Sequence, residues 1–245
     1  EVTNRQLLEF KTISTRIDAR VEGLLLTGTG DGIDASQIIV VEQTAATGSI
    51  RVERCLGTIG GTSAAGEVFA LVQVKSSGTA ATYVVNCVAF DIIGTAGTEY
   101  GFFSDGVAGA WFYNCTAQNC DIGFANGDAA ATAKNCCAQD CTDGFLGTGW
   151  AAASTNNCSD IASDAPGSNP QTGEVTFIDE VGNDFHLASS DTIALDKGAD
   201  LSADADFSFS NDIDNETRIA PWDIGADKRT GLGLQARRFW AGFRR

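Results

Sequence analysis

Apolar residues in this chain come in short runs rather than in helical stripes. The early runs are Leu7-Leu8-Glu9-Phe10, Ala19-Arg20-Val21-Glu22-Gly23-Leu24, Ile38-Ile39-Val40-Val41 and Ile50-Arg51-Val52-Glu53-Arg54-Cys55. Val68 to Val74 and Tyr83-Val84-Val85-Asn86-Cys87 follow. Gly, Ser, Thr and Ala separate them. Runs of β-branched and aromatic residues bounded by turn formers read as strands. No apolar periodicity of three or more helical turns occurs before the C-terminal tail. The pattern predicts an all-β chain, with two strand-like runs per unit in its first half.

The runs repeat. Arg20-Val21-Glu22 returns as Arg51-Val52-Glu53, 31 residues on. A phrase of Asn, Cys and a small residue recurs at Asn86-Cys87, Asn114-Cys115, Asn135-Cys136 and Asn157-Cys158, with Leu24 and Cys55 as earlier copies. From Leu24 onward the spacings are 31, 32, 28, 21 and 22 residues. Trp111 to Phe124 aligns without gaps on Thr132 to Phe145, 21 residues later, matching Asn, Cys, Ala-Gln, a second Cys and Gly-Phe. Upstream, Ala89, Asp91 and Ile92 fall on Ala117, Asn119 and Cys120, so a second column runs Ile92, Cys120, Cys141.

A unit of about 21 residues with three short strands cannot bury its own apolar side, so it must stack on copies of itself. Parallel strands of neighbouring units then lie about 4.8 Å apart, and like residues form ladders. Seven such units would span roughly 34 Å. The ladder expected here pairs Asn86, Asn114, Asn135 and Asn157 with Cys87, Cys115, Cys136 and Cys158. The cysteines would be small buried residues. The asparagines would bond from unit to unit at a bend, where Asn tolerates left-handed backbone angles. Residues 163–175, with Pro166, Pro170, Gly167 and Gly173, break the pattern and read as a surface loop.

Charge divides the chain. The net charge is −16. Residues 227–245 carry +5, which leaves −21 on residues 1–226. An acidic body argues against nucleic acid as a partner. No run of 18 apolar residues exists, so no membrane span is expected. Several of the eight cysteines sit in register with Leu24 and Ile92, which favours free buried thiols over disulfides or a metal, and assembly in a reducing cytoplasm. The chain begins with Glu1 in mid-repeat, so an upstream N-terminal portion is expected.

The closing segment carries a resemblance. Asp184-Phe185-His186-Leu187 resembles Asp-Phe-x-Leu, and Ile193-Ala194-Leu195-Asp196-Lys197-Gly198 resembles Pro-Ala-Ile-Asp-x-Gly. Asp212-Ile213-Asp214-Asn215, Arg218 and Asp223-Ile224-Gly225-Ala226 resemble an Asp-x-Asp-Gly…Arg…Asp-Ile-Gly-Ala terminus. These motifs are similar to those of the right-handed parallel β-helix repeat proteins of bacteria and their phages. Asn215 replaces the usual Gly, Ile193 the usual Pro, and Lys228 the usual Glu. The resemblance covers residues 19–227. It implies a parallel β-helix, with coils over 1–165 and a closing coil and cap over 166–227 tied to the last coil; the basic-aromatic tail over 228–245 is read from its own charge and aromatics. It implies little about function, because the fold hosts lyases, hydrolases, adhesins and structural virion parts.

Candidate chemistry is sparse. His186 lacks a neighbouring nucleophile and orienting acid in sequence, and reads as a half-buried structural histidine. Asp91 and Asp140 share a column with Asn119, and Asp121 lies near Asp143; glycoside hydrolysis would need such acids about 5–10 Å apart beside a groove. Trp111, Phe112, Tyr113 and Trp150 are the groove candidates. Lys134 is the lone basic residue between 76 and 196. No catalytic or cofactor-binding residue is assigned. A structural calcium on Asp200, Asp204, Asp206, Asp212 and Asp214 is the alternative to a hydrogen-bonded cap, although their spacing fits no EF-hand.

The tail mixes Arg237, Arg238, Arg244 and Arg245 with Phe239, Trp240 and Phe243. Arg and Trp are common interface anchors. These seven residues are the expected docking site for other virion proteins. The expected function is a non-enzymatic decoration, fibre or tail-associated subunit of a phage particle, assembled in the host cytoplasm and compatible with a homo-oligomer. The alternatives are a spike that binds or degrades a host surface glycan, and a bacterial surface adhesin.

Overall fold

The computed structural model describes residues 5–12, 16–31, 36–44, 47–62, 68–94, 99–106, 109–127 and 130–229. Among them there are strands and turns but no α-helix, and no helix is long and apolar enough to cross a membrane. Most strands come in threes. The first unit is β1 (Arg5–Thr12), β2 (Arg16–Glu22) and β3 (Leu25–Asp31). The second is β4 (Ser36–Gln43), β5 (Thr47–Glu53) and β6 (Leu56–Thr62), and the third β7 (Phe69–Ser76), β8 (Ala81–Val85) and β9 (Val88–Ile92). The fourth is β10 (Glu99–Ser104), β11 (Trp111–Tyr113) and β12 (Thr116–Cys120), and the fifth β13 (Ile122–Asn126), β14 (Thr132–Lys134) and β15 (Cys137–Gln139). Shorter pieces follow as β16 (Asp143–Leu146), β17 (Cys158–Ser159) and β18 (Gln171–Thr172).

Through β16, every third strand joins the same sheet. The first sheet runs β1-β4-β7-β10-β13-β16, the second β2-β5-β8-β11-β14, and the third β3-β6-β9-β12-β15-β17-β18. All pairings within these three sheets are parallel. This path is compatible with a parallel β-helix, and the third sheet reaches the seven strands that the repeat count predicted. Each early unit has three strands, not two. The third-sheet strands β3 and β6 are rich in Gly and Thr, so apolar runs do not mark them. Residues 163–175 are not wholly irregular: Gln171 and Thr172 pair with Cys158 and Ser159.

Register follows the repeat. Arg20, Val21 and Glu22 pair with Arg51, Val52 and Glu53. Trp111 pairs with Thr132, Thr116 with Cys137 and Phe124 with Phe145, as the gapless alignment requires. Phe102, Phe124 and Phe145 stack in a column with ring centroids 4.9 Å apart at each step. Ala89, Ala117 and Ala138 form a second buried column in the same core. Gly101, Gly123 and Gly144 sit where the strand backbones approach: a Cβ on Gly123 would lie 2.7 Å from the carbonyl oxygen of Gly144 and 3.2 Å from the Ala138 Cβ.

All eight cysteines are free and buried. Cys87, Cys115 and Cys136 each donate to a carbonyl of the preceding unit, those of Val52, Val84 and Phe112. Cys158 departs from the expected column. It pairs with Cys137, and both lie on the outer face of the third sheet. Asn157 therefore takes the place in line with Cys136, and Asn156 takes the corner. The cause is length: Asn135 to Asn156 is 21 residues, whereas the Asn-Cys phrase itself is spaced by 22.

Gly123→Ala tests the inner packing. Its new methyl has backbone on one side and Ala138 on the other, so it should cost about 1–3 kcal/mol. A urea midpoint within error of the parent would show that the units are further apart than described.

Candidate functional site

The third sheet turns out of the second at a sharp corner. Asn86, Asn114, Asn135 and Asn156 occupy it with φ of 51°, 50°, 54° and 53°, and Arg54 (52°) and Gly23 (68°) hold the same corner in earlier units. Asn adopts this left-handed conformation at lower cost than other side chains. A second corner, between the third and first sheets, holds Asp91, Asn119 and Asp140 at 51°, 50° and 52°. Asn119 Nδ2 donates to Asp91 Oδ1 at 2.6 Å. These acids are corner residues.

The asparagine amides do more than bond one another. Asn86 Nδ2 donates to the Asn211 carbonyl (2.9 Å), and Asn156 Nδ2 to that of Lys197 (2.6 Å). Asn135 Nδ2 donates to the Ala199 carbonyl (2.8 Å), while its Oδ1 accepts from the Ala199 N–H (2.7 Å). Asn114 lies between Asn135 Nδ2, 3.0 Å away, and the Arg218 guanidinium, 3.1–3.2 Å away. The backbone carbonyl of Asn135 also accepts from Gly225 N–H at 2.8 Å. The closing segment thus lies along the side of the stacked units as a strap. It is not confined to the last one, because Arg51 in β5 sits over the Phe207 ring at 5.7 Å.

Beneath the strap, outward side chains of the sheets become a second core. Leu56, Val88, Phe90, Cys137 and Cys158 pack with Phe185, Leu187, Ile213 and Ile224. Tyr83 and Tyr113 pack with Leu201 and Trp222. The expected aromatic groove does not form. Phe112 is in the inner core, Trp150 lies edge-on to Phe112 and Phe145, and Tyr113 is fully buried beneath the strap. Trp111 packs against Tyr83 at 5.2 Å.

Aspartates of the strap accept mainly from backbone. Asp191 Oδ2 accepts from the N–H groups of Ile193, Ala194 and Leu195, and its Oδ1 from Thr176. Asp223 accepts from Asp196 and Arg229. The suggested calcium set is scattered. Asp200 caps Ser202, Asp204 meets Lys134 Nζ at 2.6 Å, and Asp214 turns to His186. Arg218, buried, donates to the carbonyls of Asp223, Gly225 and Ala226. A cleft of about 280 Å³ includes Arg218, Trp222, Lys228 and Arg229 in its wall. Lys228 and Arg229 are engaged there with Thr217 and Asp196.

His186 is the main surprise. It stands in β20 (Asp184–Leu187), which pairs antiparallel with β19 (Phe177–Asp179). It is 2 % exposed rather than half-buried. Its Nδ1 is hydrogen-bonded to Asp184 Oδ1, and its Nε2 lies 2.9 Å from both Asp214 Oδ2 and Asp227 Oδ2. Burial opposes its charge, but hydrogen bonds to Asp184 and Asp214 and the charge of Asp227 outweigh that and push the imidazole up to about 12. Nearby, burial and the charge of Asp227 push Asp212 up to about 7. Asp184 was legible as a neighbour; Asp214 and Asp227 come from 28 and 41 residues away. Asp121, with its carboxyl raised by burial, shares a hydrogen bond with buried Glu99. Asp143, the acid expected near it, lies one unit on and donates its N–H to the Asp121 carbonyl at 3.0 Å.

Arg237, Arg238, Phe239, Trp240, Phe243, Arg244 and Arg245 lie outside the described residues. No protein-family model, curated protein or solved structure matches the chain.

Two outcomes follow for stability. Asn135→Ala strips both Ala199 groups of their partners and puts a Cβ-bearing residue without a helpful amide at φ 54°, a loss of about 3 kcal/mol or more. Cys136→Ala should cost less, about 1–2 kcal/mol; the reverse order in urea unfolding would reassign the specialist role to the thiol. In chelator, stability should fall between pH 5 and 9. Unfolded Asp ionises near 4 and folded Asp212 only near 7, so charging it works against the fold across that interval. The His186 contribution is complete below about 6.5 and is lost progressively above it. Urea midpoints that rise from pH 6 to 8, or a slope unchanged by His186→Gln, would contradict this.

Proposed function

We propose that the chain is a right-handed parallel β-helix that serves as a non-enzymatic structural subunit of a phage particle. Its coils form a display body, residues 166–227 close that body from the side, and residues 228–245 dock it on a neighbouring virion protein. One observation carries the reading: the groups most capable of chemistry are committed to holding the strap. His186 is enclosed by three aspartates, Lys134 is paired with Asp204, and Arg218 is spent on backbone carbonyls. Free thiols in the core fit assembly in a reducing cytoplasm. The charge step at Asp227 supports a functional division, because an acidic body and a basic-aromatic tail suit different neighbours.

Lys228 and Arg229 fasten the root of the tail to Glu216, Thr217 and Asp196. Residues 230–245 can therefore be removed without touching these contacts. The truncated chain should keep its unfolding midpoint and lose incorporation into particles, scored by mass spectrometry of purified virions. Normal incorporation of the truncated chain refutes docking through the tail. Depolymerisation of a host surface glycan by the purified protein would replace this reading with the glycan-active spike.

A further inference from the structure

The His186 cluster has the geometry of a transition-metal site rather than of a simple ion pair. One ligand atom each of His186, Asp214 and Asp227 lies within 4.8 Å of the others, and Nε2 is 2.9 Å from both Asp214 Oδ2 and Asp227 Oδ2. His186 is held by Asp184 at its other nitrogen, and a carboxylate in that position orients imidazole toward a metal and raises its basicity. An imidazole nitrogen carries one hydrogen at most. The Nε2 contact with Asp214 has hydrogen-bond geometry, whereas Asp227 Oδ2, at the same 2.9 Å, receives no hydrogen bond. Asp227 is 4 % exposed, so water offers it little relief, and a buried carboxylate oxygen without a donor is costly. Asp212 Oδ2 close by is likewise buried without a hydrogen bond. Four carboxylates, those of Asp184, Asp212, Asp214 and Asp227, thus face His186, Arg218 and Lys228, and Arg218 spends four of its bonds on carbonyls while Lys228 is engaged with Glu216 and Thr217.

We propose that His186, Asp214 and Asp227 bind one zinc ion through Nε2 and two carboxylate oxygens, with water as the fourth ligand. Zinc takes imidazole and carboxylate at about 2.0–2.2 Å, so the three ligand atoms need only small shifts to surround it. A hard cation such as calcium prefers six to eight oxygens and gains little from imidazole. The ion replaces the proton on Nε2 and gives Asp227 Oδ2 a direct bond where it now meets only the charge of His186. It joins β20, the turn at 212–215 and the end of the strap through side chains far apart in sequence. The role is structural, because the ligands tie three segments of one chain and Asp227 and His186 are both buried.

The test is a titration of the full chain, stripped with chelator and shown folded by circular dichroism, with zinc chloride at pH 7.5. One equivalent should bind per chain and raise the unfolding midpoint. Cobalt chloride should give the visible absorption of a four-coordinate nitrogen–oxygen site. Asp184→Asn should keep the stoichiometry and weaken zinc about 10–100-fold, as expected for a residue that positions a ligand. Asp214→Asn, whose side chain is the most accessible of the three ligands, should abolish the cobalt spectrum. Absence of stoichiometric binding by the folded wild-type chain overturns the proposal and leaves an imidazolium among carboxylates. Equal affinity for calcium, or an Asp214→Asn spectrum like the parent's, overturns it as well. The wild-type titration decides even if every variant fails to fold.

Discussion

The corner asparagines bind this molecule together in two directions. Along the stack, each turns the chain out of the second sheet and into the third through a left-handed residue. Across the stack, their amides reach the strap: Asn86 to Asn211, Asn135 to Ala199, Asn156 to Lys197, with Asn114 beside Arg218. One side chain thus stabilises its own backbone and supplies partners to peptide groups that would otherwise be buried without them. Such groups cost about 1–3 kcal/mol each when left unmet, so the arrangement depends on every corner amide being in place.

The strap changes what the sheets can be. A stack of parallel strands usually presents one inner face to its core and one outer face to solvent. Here Leu56, Val88, Phe90, Tyr83 and Tyr113 point outward and are still buried, because residues 175–226 cover them. The covering chain has few long strands to hydrogen-bond within, so aspartates take up its N–H groups and Arg218 its carbonyls. The high Asp content of this segment is accordingly a backbone-satisfying device more than a display of charge. It also concentrates negative charge around His186, and the same economy that holds the strap creates the place where a metal cation fits.

The stacking was legible because parallel strands put like on like. The gapless match of residues 111–124 with 132–145 is the observed register, and the Ile92–Cys120 column is real. Three features were hidden for physical reasons. Strands β3 and β6 follow backbone spacing rather than apolarity, since a Gly beside a close-packed Leu71 suits the interior as well as a valine would elsewhere. Asn157-Cys158 copies the phrase in letters but lies one residue out of step, because register is counted along the chain and not by motif. The strap's position and the carboxylates around His186 are long-range contacts, to which local patterns are blind. Asp184, Arg218 and Asp223 stood in the closing-segment motifs, whereas His186 fell on an unspecified position between Phe185 and Leu187.

Amide hydrogen exchange on the intact chain tests the central claim most directly. If the corner amides hold the strap as part of the fold, the N–H groups of Ala199, Ile224, Gly225 and Ala226 exchange as slowly as those of strands β11 and β14, all through the same global opening. Fast exchange of those four amides, with the sheets still protected, would mean that the strap is an accessory laid on a body that stands without it.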